Sequence, residues 1–311
     1  MNKMQHTKSD ILSTLAYFDI FNHPLTKKEI WLFLPAYREQ AELDDSLQAL
    51  VNDAVIFKFG EMYSLSNDPE IIEVRKENNR NAATLIITAK KVASFLVKFP
   101  FVRGLGVSGS LSKNVANKSS DIDFFIVTAP NRLWIARSFM HCFKKFTFLF
   151  NKQHLFCMNY FIDEAEMEIE EKNIYTATEI VTLLPLQGAM TLERFYNANT
   201  WSKHYLPNQF MRVSIAENAK HFFPKYLIEK VFDNGFGNWL DDLLMNVTSK
   251  RWQRKTIVNK KNSRGITMSM IAGKHVAKPD PVFFQSGLLD KHCKKVEQLI
   301  KQVEPGYALV K

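Results

Sequence analysis

Asp121 and Asp123 stand one residue apart at the head of the apolar run 124–127, Phe-Phe-Ile-Val, which Pro130 closes. β-Branched and aromatic residues bounded by a breaker predict a buried strand. Side chains on a strand alternate between faces, so both carboxylates project from one side. Two like charges that close repel, and an apolar strand adds a desolvation cost, so the pair calls for a cation. Oxygen ligands of this kind suit Mg²⁺ shared with substrate phosphates. An isolated Asp-x-Asp is more often a capping or solvated pair, but the apolar strand continuing from this one argues against that.

Upstream, residues 101–107 read as a short strand, followed by Gly109, Ser110 and a polar run, 111–120, able to open a helix. Glycine lets a backbone approach a ligand closely, and exposed N–H groups beside a hydroxyl favour an anion, so the turn predicts a phosphate seat.

Strand, Gly-Ser, ten residues and Asp-Ile-Asp together resemble the signature of the DNA polymerase β type nucleotidyltransferase superfamily, over roughly residues 85–165. The resemblance implies transfer of a nucleoside monophosphate from a nucleoside triphosphate to an acceptor hydroxyl. It implies that Gly109 and Ser110 hold the triphosphate, with Lys113 in the nucleotide-binding set, and that Asp121 and Asp123 are catalytic and bind Mg²⁺ or Mn²⁺. It also implies a third carboxylate on the next core strand. That strand reads HLFCMNYFID, residues 154–163, and simple alternation puts Cys157, Asn159, Phe161 and Asp163 on one face. Asn159 falls where the carboxylate is expected, and an amide is no general base. Asp163 lies four residues on, about 13 Å along a strand. These two are the candidate third positions, and Asn159 raises the alternative of a catalytically degenerate nucleotide-binding sensor.

The expected fold class is α+β, a small mixed-sheet core (68–172) between an N-terminal winged-helix-like domain (1–67) and a C-terminal helical domain (173–311). At the N-terminal side, Ser9 is read as the cap of a first helix that ends at the Asn22-His23-Pro24 break. Thr26 and Glu29 form a capping box for a second. A third spans about 43–53, and residues 55–66 alternate as a hairpin turned at Gly60-Glu61. Three helices and a wing resemble a winged helix-turn-helix domain, which makes a DNA-binding regulator the other alternative. The third helix, however, carries Asp44, Asp45 and Asp53 without Lys or Arg, so a structural or partner-docking role is preferred over DNA.

A charged helix, 69–100, leads into the core, and a long helix from 132 to about 150 precedes the 154–162 strand. The acidic stretch 163–172 reads as an exposed hairpin or edge strand. From 173 the pattern is helical to the end, with the aromatics of 225–250 as core and a helix at 288–303 packing on the helical domain. Residues 250–264 hold seven basic residues and Trp252, suited to a triphosphate or an RNA acceptor, or equally to a solvated helix end. Lys274 is a further candidate phosphate ligand, beside His275 as a lesser candidate for proton transfer. The net charge of +9 favours anionic partners, with RNA or a small molecule as acceptor. Three separated cysteines and the lack of an apolar leader or spanning run predict a cytoplasmic protein with no membrane partner.

Overall fold

A computed structural model describes residues 3–117, 120–147, 153–209, 216–217, 222–258, 260–261, 269–279 and 284–303. The N-terminal unit comprises α1 (Lys3–Asp19), β1 (Leu25–Thr26), α2 (Lys27–Leu32), α3 (Gln40–Asn52), β2 (Phe57–Phe59) and β3 (Met62–Ser64). Its small antiparallel sheet runs β1-β3-β2. Thr26 caps α2 as its sequence predicts, the hydroxyl accepting from Glu29 N while Glu29 Oε2 accepts from Thr26 N. Ser9 is not a cap: it lies inside α1, two residues past Thr7, whose hydroxyl reaches Glu42 of α3.

The long α4 (Glu70–Leu96) leads to β4 (Val102–Val107), the single turn α5 (Gly109–Ser112), β5 (Asp123–Thr128), α6 (Leu133–Thr147) and β6 (Cys157–Asp163). Next come α7 (Ile174–Thr182), β7 (Leu184–Gln187), α8 (Ala189–Ala198), α9 (Phe223–Phe232), α10 (Gly235–Ile257), β8 (Met270–Ala272), β9 (Val276–Pro279) and α11 (Phe284–Val303). The mixed six-stranded sheet runs β7-β4-β5-β6-β9-β8, with β5 and β6 parallel and the other pairs antiparallel. Ile122, Phe124 and Ile126 enter one core and Phe125 and Val127 another, so the sheet is covered on both faces.

The stretch after 173 is therefore not wholly helical: it supplies three strands of this sheet. Pro185 is tolerated because β7 is an outer strand, where a missing N–H costs no ladder bond on the open side. The acidic stretch is not an exposed hairpin either. Met167 and Ile169 are buried, and the Asn199 side chain bonds Met167 O and Ile169 N at 2.8 Å each. The aromatic segment 225–250 is divided at Asp233–Asn234 between α9 and α10, and Phe236 and Trp239 are more than half exposed rather than core. Finally, α11 packs on the N-terminal unit, with Leu288 and Leu299 joining the core of α1 and α3.

Candidate active site

The turn from β4 to α5 lies against the first residue of β5. Ser108 N donates to Asp123 O at 2.9 Å, and Val107 pairs with Phe124. Gly109 has φ +71°, and a Cβ there would lie 3.1 Å from Asp123 Oδ2. Glycine is needed twice over, for the left-handed backbone and for the carboxylate seated beside it. Ser110 is exposed at the same turn. β5 begins at Asp123, leaving Asp121 exposed in the loop before it, while Ile122 is fully buried with Phe124. Both carboxylates lie close enough to Cys157 to raise its thiol beyond the effect of burial, Asp123 more than Asp121.

Lys113 is brought to this turn. Its Nζ donates to Gly109 O at 3.0 Å and to Glu179 Oε1 at 2.7 Å, while Gly109 N donates to Glu179 Oε2 at 3.1 Å. Glu179, on α7, has no motif spacing that marks it, only a place in an amphipathic helix. Tyr175, one turn before it, has its hydroxyl pushed up by burial, then by Glu179 and Asp123, so it lies in the field of both carboxylates. The N-terminal unit also reaches this region. Burial, Arg75 and Lys113 hold the His23 imidazole down at about 3.

β6 departs from the simple count. Asp123 pairs with Cys157 and Phe124 with Met158, but Phe125 pairs with Tyr160, so Asn159 is an extra residue that shifts the register. Cys157 and Phe161 consequently do not share a face: Phe161 packs with Phe124 and Ile126, while Tyr160 and Ile162 pack with Phe125. The residue beside Asp123 is Cys157, whose thiol is pushed up to about 12 by burial and by Asp123.

Asp163 pairs with Thr128, at the other end of β5, about 17 Å from the Asp123 level. Fully buried, it accepts from Asn131 N, Ala165 N and His275 Nδ1, which fixes it as a structural acceptor. Lys274 lies at that end too, in the turn between β8 and β9, paired with Asp242. Neither Lys274 nor His275 joins the Gly109 turn. At the end of α10, Lys255 lies 4.2 Å from the Trp252 ring centre; residues 259 and 262–264 of that basic segment lie outside the described residues.

Among the described residues no three His, Cys, Asp or Glu side chains form a cluster able to hold a metal by themselves. Asp121 and Asp123 still fit Mg²⁺, an ion commonly held by one or two carboxylates with the rest of its shell from water and substrate phosphates.

Residues 87–187 match the nucleotidyltransferase domain family. The match runs from within α4 to the end of β7 and takes in the whole Gly109–Asp123 turn. It supports nucleotidyl transfer as the general activity. No curated protein and no solved structure matches the chain.

Proposed function

We propose that the chain moves a nucleoside monophosphate from a nucleoside triphosphate to an acceptor hydroxyl, in the manner of the DNA polymerase β type. The observation that carries this reading is the Asp123 carboxylate packed against the left-handed Gly109 turn. Gly109 N–H and the Ser110 hydroxyl orient the phosphate chain, and Lys113 offsets its charge. Asp121 and Asp123 would hold Mg²⁺ or Mn²⁺, which supplies electrostatic stabilisation of the transferring and leaving oxygens. The acceptor is an RNA or a small molecule. Three unpaired cysteines support a reducing, cytoplasmic setting.

Incubation with Mg²⁺, nucleoside triphosphates and acceptor pools should release pyrophosphate, and Asp123→Asn should abolish both release and divalent-dependent triphosphate binding. Unchanged binding in Asp121→Asn and Asp123→Asn would sink the assignment. A second reading, a nucleotide-binding sensor without transfer, is favoured by the thiol of Cys157 and the bulged Asn159 where a third carboxylate was expected. It predicts Asp123-dependent binding with no pyrophosphate.

The order α1-β1-α2-α3-β2-β3 supports a winged helix at the N-terminal side. Its α3 carries exposed Asp44 and Asp45 and no Lys or Arg to meet phosphates, so docking of a partner is preferred to DNA binding.

A further inference from the structure

Glu179 takes up the groups that a phosphate at this site needs. Its two oxygens accept from Gly109 N at 3.1 Å and from Lys113 Nζ at 2.7 Å, and Lys113 also donates to Gly109 O. A carboxylate held at two points by a backbone N–H and an ammonium puts two anionic oxygens on the donors that phosphate oxygens would use. The helix that carries it is firmly seated: Ala177, Thr178, Ile180 and Val181 are buried, and Asn173 caps its first turn through Thr176 N. An entering anion therefore meets Glu179 in its place, with Asp123 beside Gly109 and Asp121 exposed nearby adding like charge.

We propose that Glu179 is a specificity-determining residue that closes the Gly109 turn to bare phosphates and yields it only to a phosphate chain that arrives with its own divalent cation. This rests on the nucleotide-binding reading of the same site. A cation offsets the phosphate charge, so the complex can displace Glu179 from Lys113 without bringing uncompensated anions together. A bare polyphosphate lacks that offset.

The test is calorimetry on the full chain with inorganic triphosphate, first in chelator and then with Mg²⁺. The wild-type protein should bind the bare anion weakly. Glu179→Gln and Glu179→Ala should each bind it at least about tenfold more tightly, the low end of what one hydrogen bond to a charged group is worth. Adding Lys113→Ala to Glu179→Gln should cancel the gain. Because the Glu179 side chain is about a quarter exposed, both variants are expected to fold. Bare triphosphate bound equally by wild type and both variants, or more weakly by the variants, would overturn the proposal and make Glu179 a support for the turn. The gain is read without metal or nucleoside. Asp123-independent binding of Mg²⁺–nucleoside triphosphate would thus sink the nucleotidyltransferase reading while leaving the anion result standing.

Discussion

His23 shows how one side chain near the site sets a property of the whole chain. It is 8% exposed, and its Nδ1 lies 2.8 Å from Arg75 Nη1. A guanidinium only donates, so Nδ1 must accept and the ring must be neutral. Burial, Arg75 and Lys113 together depress its titration from 6.5 to about 3. The folded state thus binds a proton less readily than the unfolded state. Stability is full above about pH 6.5 and falls as pH drops from there toward 3, losing about 2 kcal/mol from this group between pH 7 and 5. Urea unfolding at the two pH values should show a smaller drop for His23→Gln than for wild type; equal drops would refute this assignment. The site itself was partly legible at the residue level. The turn that sets Gly109 beside Asp123 is marked by residue type and spacing, whereas Glu179 reaches that turn from a distant helix whose sequence marks only amphipathicity. Asn159 misled because a single extra residue reverses the face of everything after it, and a bulge has no signature in CMNYFID.

At the level of elements, local chemistry predicted what local chemistry determines. The Thr26–Glu29 box, the Gly60 turn and the apolar strand after Asp123 all appear. The strands missed, β7, β8 and β9, are short segments: β7 and β9 form on the edges that β4 and β6 offer and β8 adds to β9, a tertiary cause invisible in four-residue windows. β7 also depends on the residue that follows it. Gly188 has φ +79°, and a Cβ there would lie 2.1 Å from Arg103 O and 2.9 Å from Gly104 Cα. The turn into α8 therefore needs both a left-handed backbone and the absence of a side chain. Gly188→Ala should destabilise the protein by at least about 2 kcal/mol, combining the left-handed penalty with backbone overpacking. The measurement is a denaturant midpoint. A loss below about 0.5 kcal/mol, the level of an ordinary surface change, would show that β7 can move off β4 freely.

Across the molecule, α11 connects parts that the linear domain order keeps separate. Leu288 and Leu299 complete the core of α1 and α3, His292 Nε2–H donates to Ser13 O at 3.0 Å, and Lys295 pairs with Asp19. The beginning of the same helix touches α7, where Gln285 Nε2 donates to Thr176 Oγ1 at 3.2 Å and Phe284 meets Tyr175 edge-on. Ile174 and Tyr175 pack on that N-terminal core as well, so the helix bearing Glu179 is backed by both ends of the chain. A boundary drawn at 172 by helical periodicity could not show this, since an amphipathic stripe reveals that a helix is covered and not by what. Leu288→Ala should cost about 2–5 kcal/mol, the range for an emptied core leucine. If the cores act as one, hydrogen exchange should accelerate in α1 and α7 together while β4 and β5 keep their protection. Faster exchange in α1 with α7 unchanged would mean that the N-terminal unit opens by itself, and that α7 is held in place by the sheet alone.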